Sequence, residues 1–341
     1  MKVVKMGKLR VIQIGVGGFG QKWLQILRDF ENIEIVAVVD VDDHNLTNGK
    51  EILNSPHIPM YQDHLEAFAN IKADAAIIAT PPQTHKTLAM DALKADMYVF
   101  MEKPIAHTFE EALELFTESQ KYGKFIMISQ NYRWRPAIEA IRLCIQEGQI
   151  GTVEYGEWNF RRATKFGGWR DKYNEILIED MSIHHFDLLR HILGKDATSI
   201  FAKSMKPSWS WFGGNAVASA IISFDNIMVN YFGSWVTRGK ETSWNGDLRL
   251  IGEKGMVELI DDVPSMTLED GKTQKIPLPN MPYTDQEYSL FELVQAIKEN
   301  RKPVTHIEDN IKSFALVGGA LESISKEKEI DISNNSYLII K

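Results

Sequence analysis

With 341 residues, the chain is too long for one ordinary hydrophobic core, so two domains are the starting expectation. Its 44% hydrophobic and 25% charged residues form a globular balance, and a formal net charge of -8 without any Lys/Arg-rich run argues against a nucleic-acid groove. The single cysteine, Cys144, excludes an intramolecular disulfide and fits a reducing, cytoplasmic compartment; no apolar run is long enough to cross a membrane, and the N-terminus has no signal-type apolar segment.

Residues 1–8 read as a short disordered lead-in. Residues 9–14 form a short, β-branched apolar run suited to a buried parallel strand. Gly15-Val16-Gly17-Gly18-Phe19-Gly20 then spaces its glycines as G-x-G-x-x-G. Gly15 permits the tight turn, Gly17 lets a pyrophosphate approach the backbone, and Gly20 lets the next helix pack on the strand. Trp23, Leu24, Leu27 and Phe30 make one apolar face of that helix, whose N-terminus offers free N–H groups to phosphate. A second strand ends at Asp40, about 20 residues beyond the last glycine, where an acid accepts hydrogen bonds from an adenosine ribose. No Arg or Lys stands beside Asp40 to receive a 2′-phosphate, so NAD is favoured over NADP.

A helix is expected over 45–53 and a strand over 73–79, which leaves the sheet at Thr80-Pro81-Pro82 because proline cannot extend the ladder. A helix starting at Thr84 or His85 runs through Ala95. The strand over 97–101 precedes Glu102-Lys103-Pro104. Thr108 and Glu111 predict a capping box for a helix to Tyr122, with Gly123 beyond its end, and 124–130 closes the sheet. The pattern then changes. Helices at 136–146 and 179–193 flank a strand at 153–161, with Gly194 as the stop. Strands follow at 200–205, 216–224, 228–236, 247–252 and 256–260, without helices between them, which means a mostly antiparallel sheet. Helices near 285–300 and 308–325 finish the chain. The expected architecture is an α/β Rossmann domain over 1–128 and an α+β domain with an open sheet over 129–341, the last helix packing back on the first domain. Cys144 falls in the 136–146 helix as a small buried hydrophobe.

The helix near Glu179 carries Asp180, His184, Asp187 and His191 along one side. An Asp one turn before a His suits proton transfer, since the carboxylate orients the ring and imidazole titrates near neutrality. A surface stripe whose acids meet the helix dipole is the plainer reading. A metal at His184, His185 and Asp187 is the weakest reading, because adjacent histidines diverge on a helix and H-E-x-x-H is absent.

Four motifs occur together and in order: the Gly15–Gly20 fingerprint, Ala79-Thr80-Pro81-Pro82 with His85, Glu102-Lys103-Pro104, and Asp180 with His184, His185 and Asp187. In this the chain resembles the glucose–fructose oxidoreductase/inositol dehydrogenase/rhizopine catabolism (Gfo/Idh/MocA) family over nearly its whole length. The resemblance implies an NAD(P)-binding first domain, an open antiparallel sheet in the second, and a substrate between them against the nicotinamide. It matches Lys103 to the active-site lysine and Asp180 and His184 to the acid–histidine pair. Thr80, Pro81 and His85 match the loop beside the cofactor; Glu102 is the more structural member of its motif. Pro104 would hold the lysine loop, through a cis or a trans bond. Trp169-Arg170 resembles a substrate-loop pattern. The chain departs from the family at 173–179, where a glycine-rich run is replaced by a stretch without glycine, so the loop over the substrate must be shaped differently.

For oxidation of a carbinol, His184 is the base, Asp180 orients it, and Lys103 either stabilises the developing oxyanion or exchanges the proton. Arg161, Arg162, Trp169, Arg170, Tyr173 and His185 are candidate substrate contacts, and Tyr132 and Trp134 stand near the domain border; each also suits a role in the fold. Glu175 and Glu179 equally suit an amino sugar. The leading expectation is an NAD-dependent dehydrogenase of a sugar, inositol or related polyol, with no metal, assembled as a homodimer or homotetramer on the second domain's sheet. A redox-neutral, NAD-retaining glycoside hydrolase and a non-catalytic NAD-binding sensor are the alternatives.

Overall fold

The computed structural model describes residues 7–333, the Trp169 side chain excepted, so the lead-in expected over 1–8 lies almost wholly outside the described residues. Strands and helices alternate through the first third: β1 (Leu9–Ile14), α1 (Phe19–Asp29), β2 (Ile33–Val39), α2 (Asp43–Leu53), β3 (Met60–Tyr61), α3 (His64–Asn70), β4 (Ala75–Ile78), α4 (His85–Lys94), β5 (Tyr98–Met101), α5 (Phe109–Ser119) and β6 (Ile126–Ile128). All six strands are parallel, in the order β3-β2-β1-β4-β5-β6. That is the doubly wound dinucleotide-binding order, and it reverses between β1 and β4, where such sheets bind ligands. The helix stripe read from the sequence is real: Trp23, Leu24, Leu27 and Phe30 are all buried. The Thr108–Glu111 capping box forms. The helix it opens ends at Ser119 with Gln120 as its cap, so Gly123 plays no capping part. The two-residue β3 and the short α3 carry too little periodicity to be read in advance.

The rest of the chain adds α6 (Pro136–Gln146), β7 (Val153–Arg161), a π-helical turn (Leu177–Ser182), α7 (Ile183–Leu193), β8 (Ser199–Met205), β9 (Val217–Phe224), β10 (Ile227–Ser234), β11 (Asp247–Gly252), β12 (Gly255–Ile260), β13 (Val263–Leu268), β14 (Thr273–Lys275), α8 (Asp285–Lys298), α9 (Ile307–Lys326) and β15 (Ile330–Asp331). A sheet of nine strands runs β14-β13-β12-β11-β7-β10-β9-β8-β15. Its pairs are antiparallel except β7 with β10. That pair is parallel because the chain returns from β7 through a long excursion rather than a hairpin. One face is buried, including Trp158, Phe160, Ile222, Val229, Leu248 and Leu250. Helix α7 lies on it: His185 meets Trp158 and Phe160 at 5.2 and 4.9 Å between ring centroids. The alternate residues Tyr155, Ile221 and Met228 are exposed on the other face.

The chain divides into two compact units. The first comprises residues to Asn131 with Tyr283–Ile311, and the second Tyr132–Pro282 with residues from Lys312 onward. The sequence reading has a single border near Ser129; instead the segment with α8 returns to the first unit. There Leu290, Leu293 and Val294 of α8 join the core around Trp23 and Leu27.

Candidate active site

In the first unit, the glycine turn is shaped by close approach. Gly15 adopts φ +88°, and a Cβ there would lie 2.6 Å from the Ala79 carbonyl oxygen. A Cβ on Gly20 would lie 2.3 Å from the Gly15 oxygen, so α1 packs onto the turn only without a side chain there. The buried Gln13 amide donates to the Gly15 and Gly20 carbonyls at 3.0 and 2.7 Å. Sequence reasoning passed over Gln13, whose signal is a lone amide inside an apolar strand. Helix α1 starts at Phe19 behind Gly18 with no side-chain cap and no acid in its first turn, so its leading N–H groups and dipole suit an anion. Asp40 accepts from the Val16 N–H at 2.8 Å and the Asp42 N–H at 3.0 Å. Its carboxylate is thus fixed beside the glycine turn. Gly15, Gly17, Gly18, Phe19, Gly20 and Asp40 are the residues that could hold a dinucleotide here, the turn and the α1 N-terminus facing its phosphates and Asp40 its ribose.

Thr80 and Pro81 follow β4, and Glu102 and Lys103 follow β5, all at the carboxyl edge of the parallel sheet. His85 ties these loops together. Its ring is buried, with Nδ1 2.8 Å from the Pro104 oxygen and Nε2 2.9 Å from the Thr80 oxygen. Burial lowers its pKa, against the two carbonyls that favour the charged ring. His85 therefore acts on the loops rather than on a ligand. Glu102 accepts from the Trp23 indole at 2.7 Å and from the Lys103 N–H at 3.2 Å. Burial raises the Glu102 pKa, opposed by the Lys103 charge. The Lys103–Pro104 bond is cis.

In the second unit, Asp180 lies in the π-helical turn and His184 in the first turn of α7. A uniform α-helix over 179–193 is therefore replaced by a wider turn up to Ser182, a distortion found often at functional sites. Ser182 Oγ lies within hydrogen-bond distance of both the Leu177 oxygen, 3.1 Å, and the Tyr231 hydroxyl, 3.0 Å, anchoring that turn. Arg170 donates to Asp180 at 3.2 Å. The Tyr173 phenol is held well above its usual pKa by burial, with Asp180 and Glu179 adding to the shift. Asp180, Arg170 and Tyr173 therefore share one electrostatic neighbourhood. The His184 ring stacks on Tyr132, 4.2 Å between centroids at 10°.

The other members of the stripe have structural partners. Asp187 receives both prongs of Arg133 at 2.6 Å, and His191 meets Glu139 at 2.7 Å. His185 is fully buried, with Nδ1 3.0 Å from the Tyr231 hydroxyl and Nε2 3.3 Å from the Trp244 oxygen, so both nitrogens face protein and not substrate. Burial drives its pKa down to about 3. The three candidate metal ligands thus face separate partners, and no group of three His, Cys, Asp or Glu able to hold a metal occurs among the described residues. Arg161 lies on the sheet face opposite Trp158 and Phe160, against Asn159 and Phe232, away from α7. Arg162 pairs with Glu241 and covers Trp244. The Trp169 side chain lies outside the described residues.

The glycine-free stretch before Asp180 obtains its close approach from the loop between β8 and β9. A Cβ on Gly214 would lie 2.2 and 2.3 Å from the Asn174 and Tyr173 oxygens. Glu175 accepts from Asn215 at 2.7 Å, and Glu179 accepts from the Glu175 N–H at 2.9 Å. Both carboxylates serve the loop itself. Cys144 is buried and its thiol is pushed up to about 11 by burial, so it is an inert core group.

Two sequence models of one family cover most of the chain: the oxidoreductase family with an NAD-binding Rossmann fold over residues 9–130, and the GFO/IDH/MocA C-terminal domain over 138–258. The chain belongs to the Gfo/Idh/MocA family of oxidoreductases, and its first unit is the family's NAD-binding domain. It is 25% identical over 337 residues to a D-apiose dehydrogenase of Paraburkholderia graminis, covering 94% of this chain and 89% of that one. It is 30% identical over 194 residues to an inositol 2-dehydrogenase of Arthrobacter sp. strain FB24, 56% of each chain. Its fold matches an oxidoreductase from Agrobacterium radiobacter, crystallised with NAD+, L-tartaric acid and magnesium, with a TM-score of 0.87 at 22% identity over 95% of this chain and 98% of that one. Among the described residues, no helix is long and apolar enough to cross a membrane.

Proposed function

We propose that this protein oxidises a secondary hydroxyl of a sugar, inositol or related polyol, with NAD as the hydride acceptor. The observation that carries the reading is the His184 ring, held in a fixed plane four residues after an Arg170-paired Asp180. Imidazole changes charge near neutral pH, so His184 takes the hydroxyl proton as the carbinol is oxidised. Asp180 orients that ring and offsets its charge. Lys103, at the carboxyl end of β5, hydrogen-bonds the same oxygen and stabilises the negative charge developing on it. NAD, when bound, supplies the hydride acceptor; the glycine turn and α1 hold its pyrophosphate and Asp40 its ribose. The acids Asp40, Asp42 and Asp43 repel a 2′-phosphate, which favours NAD over NADP. Arg170 and Tyr173, gathered around Asp180, suit a polyhydroxylated substrate, neutral or weakly acidic.

Two further properties belong to this reading. The single buried thiol suits a reducing, cytoplasmic compartment. Tyr155 (53% exposed), Ile221 (44%) and Met228 (48%) stand on the open face of the nine-stranded sheet, which suits burial against a second copy in a dimer or tetramer. Light scattering at micromolar concentration tests the assembly, and a monomer refutes it.

The deciding experiment is a panel of inositols, aldoses, uronic acids and amino sugars, followed by NADH absorbance. Stoichiometric NADH with one polyol class supports the reading. Preference for a primary alcohol or a phosphorylated substrate overturns it. Glycoside cleavage without net NADH would favour the redox-neutral hydrolase, and NAD binding with no turnover a sensor.

A further inference from the structure

The short 3-10 turn Asn131–Trp134 sends three consecutive side chains to α7. Tyr132 stacks on His184 at 4.2 Å, Arg133 clamps Asp187 at 2.6 Å, and Trp134 meets His191 edge-on at 6.2 Å. Residues 132, 133 and 134 thus run in step with 184, 187 and 191. The next residue, Arg135, places its guanidinium carbon 3.3 Å from the Tyr132 ring centroid. Arg135 is itself pinned: it donates to Asn245 at 2.7 Å, and the buried Asn245 donates to Asp262 at 2.8 Å while its carbonyl accepts from Trp158 at 2.9 Å.

From this geometry we propose that Tyr132 is a positioning residue for the base, with Arg135 as its support. The inference rests on the reading of His184 as base. An imidazole has a free torsion about its Cβ–Cγ bond, and rotation there swings both nitrogens away from a substrate proton. A stack at 10° and 4.2 Å between centroids removes that freedom by holding the plane of the ring. The Arg135 guanidinium, against the Tyr132 ring and tied to Asn245, keeps the phenol from following the imidazole. The Tyr132 ring, not its hydroxyl, performs this role. Small misplacements of a catalytic group cost up to about a hundredfold in rate, so a loose ring would show in turnover rather than in substrate affinity.

The test compares Tyr132→Ala and Tyr132→Phe in the full-length protein. On the substrate found by the panel, Tyr132→Ala lowers kcat by about tenfold or more with KM for substrate and NAD within about twofold, and Tyr132→Phe restores kcat. A second readout needs no substrate: the carbon-bound protons of the His184 ring, assigned by the loss of their signals in His184→Ala, lie upfield from the tyrosine ring current and move downfield in Tyr132→Ala but not in Tyr132→Phe. Unchanged kcat or unmoved resonances in Tyr132→Ala overturn the proposal. A defect confined to KM makes Tyr132 a substrate platform and also overturns it, as does a Phe variant as poor as Ala. Failure of the base assignment is separate, because it appears as normal turnover in His184→Ala.

Discussion

Arg133 and Asp187 form a buried, two-pronged ion pair, with both N–O distances 2.6 Å and side chains 4% and 1% exposed. Ser313 of α9 donates to the same Asp187 oxygen at 2.6 Å and accepts from Arg190 at 2.7 Å. The carboxylate therefore joins the 3-10 turn, α7 and α9. Removing one partner strands the other charge in the interior, which typically costs about 3–5 kcal/mol. Asp187→Ala should lower the thermal midpoint of the second unit by several degrees or abolish soluble expression, and Arg133→Met with Asp187→Leu should recover part of the loss. A single variant as stable as the parent in a thermal melt would refute the structural role.

Lys103→Ala and His184→Ala should each lower kcat by at least about a hundredfold, the usual scale of acid–base or oxyanion contributions. NAD binding, read by fluorescence titration, should survive both, because neither residue belongs to the glycine cradle. Near-normal turnover in either variant removes that residue from the mechanism.

The catalytic efficiency with NAD should exceed that with NADP. Replacing Asp40 by Ser removes the charge facing a 2′-phosphate and an acceptor for the ribose, so the preference should shrink by about tenfold or more. Equal use of the two cofactors by the parent protein would sink the assignment of Asp40.

Two buried histidines predict acid destabilisation. His185 is pushed down to about 3 and His306 to about 4, burial being the leading cause for both. An unfolded histidine titrates near pH 6.5. Above that pH neither state holds the proton, and stability is complete. As pH falls from about 6.5 toward 4, the unfolded chain binds protons that the folded protein refuses, so stability drops by up to about 1.4 kcal/mol per pH unit for each histidine. Thermal melts between pH 7 and 5 should show a falling midpoint, with a shallower fall in His185→Gln. A midpoint independent of pH over that interval would contradict the burial of these rings.

Local patterning defined most of the Rossmann half, β3 and α3 excepted. Strand β1, the spaced glycines and the Trp23–Phe30 stripe each depend on residues close in sequence, and the parallel sheet follows from the alternation of strand and helix. The antiparallel core of the second sheet was legible for the same reason. The proposed catalytic residues Lys103, Asp180 and His184 stood out through motif and resemblance. Their supports did not, because contacts between distant segments leave no periodic trace. Tyr132 meets His184, Arg133 meets Asp187, and Gly214 makes room for the backbone at Tyr173 and Asn174, each across a long stretch of chain. His185 and Asp187 looked like candidate ligands beside His184; only packing revealed that one is core and the other half of an ion pair. The return of α8 to the first unit was equally hidden, since an apolar helix face fits any complementary surface until the fold supplies one. Sequence determined most of the segments that become strands and helices and nominated the groups proposed for the chemistry; tertiary structure decided which of those groups are already engaged by the protein, because burial and partner geometry arise only when remote segments meet.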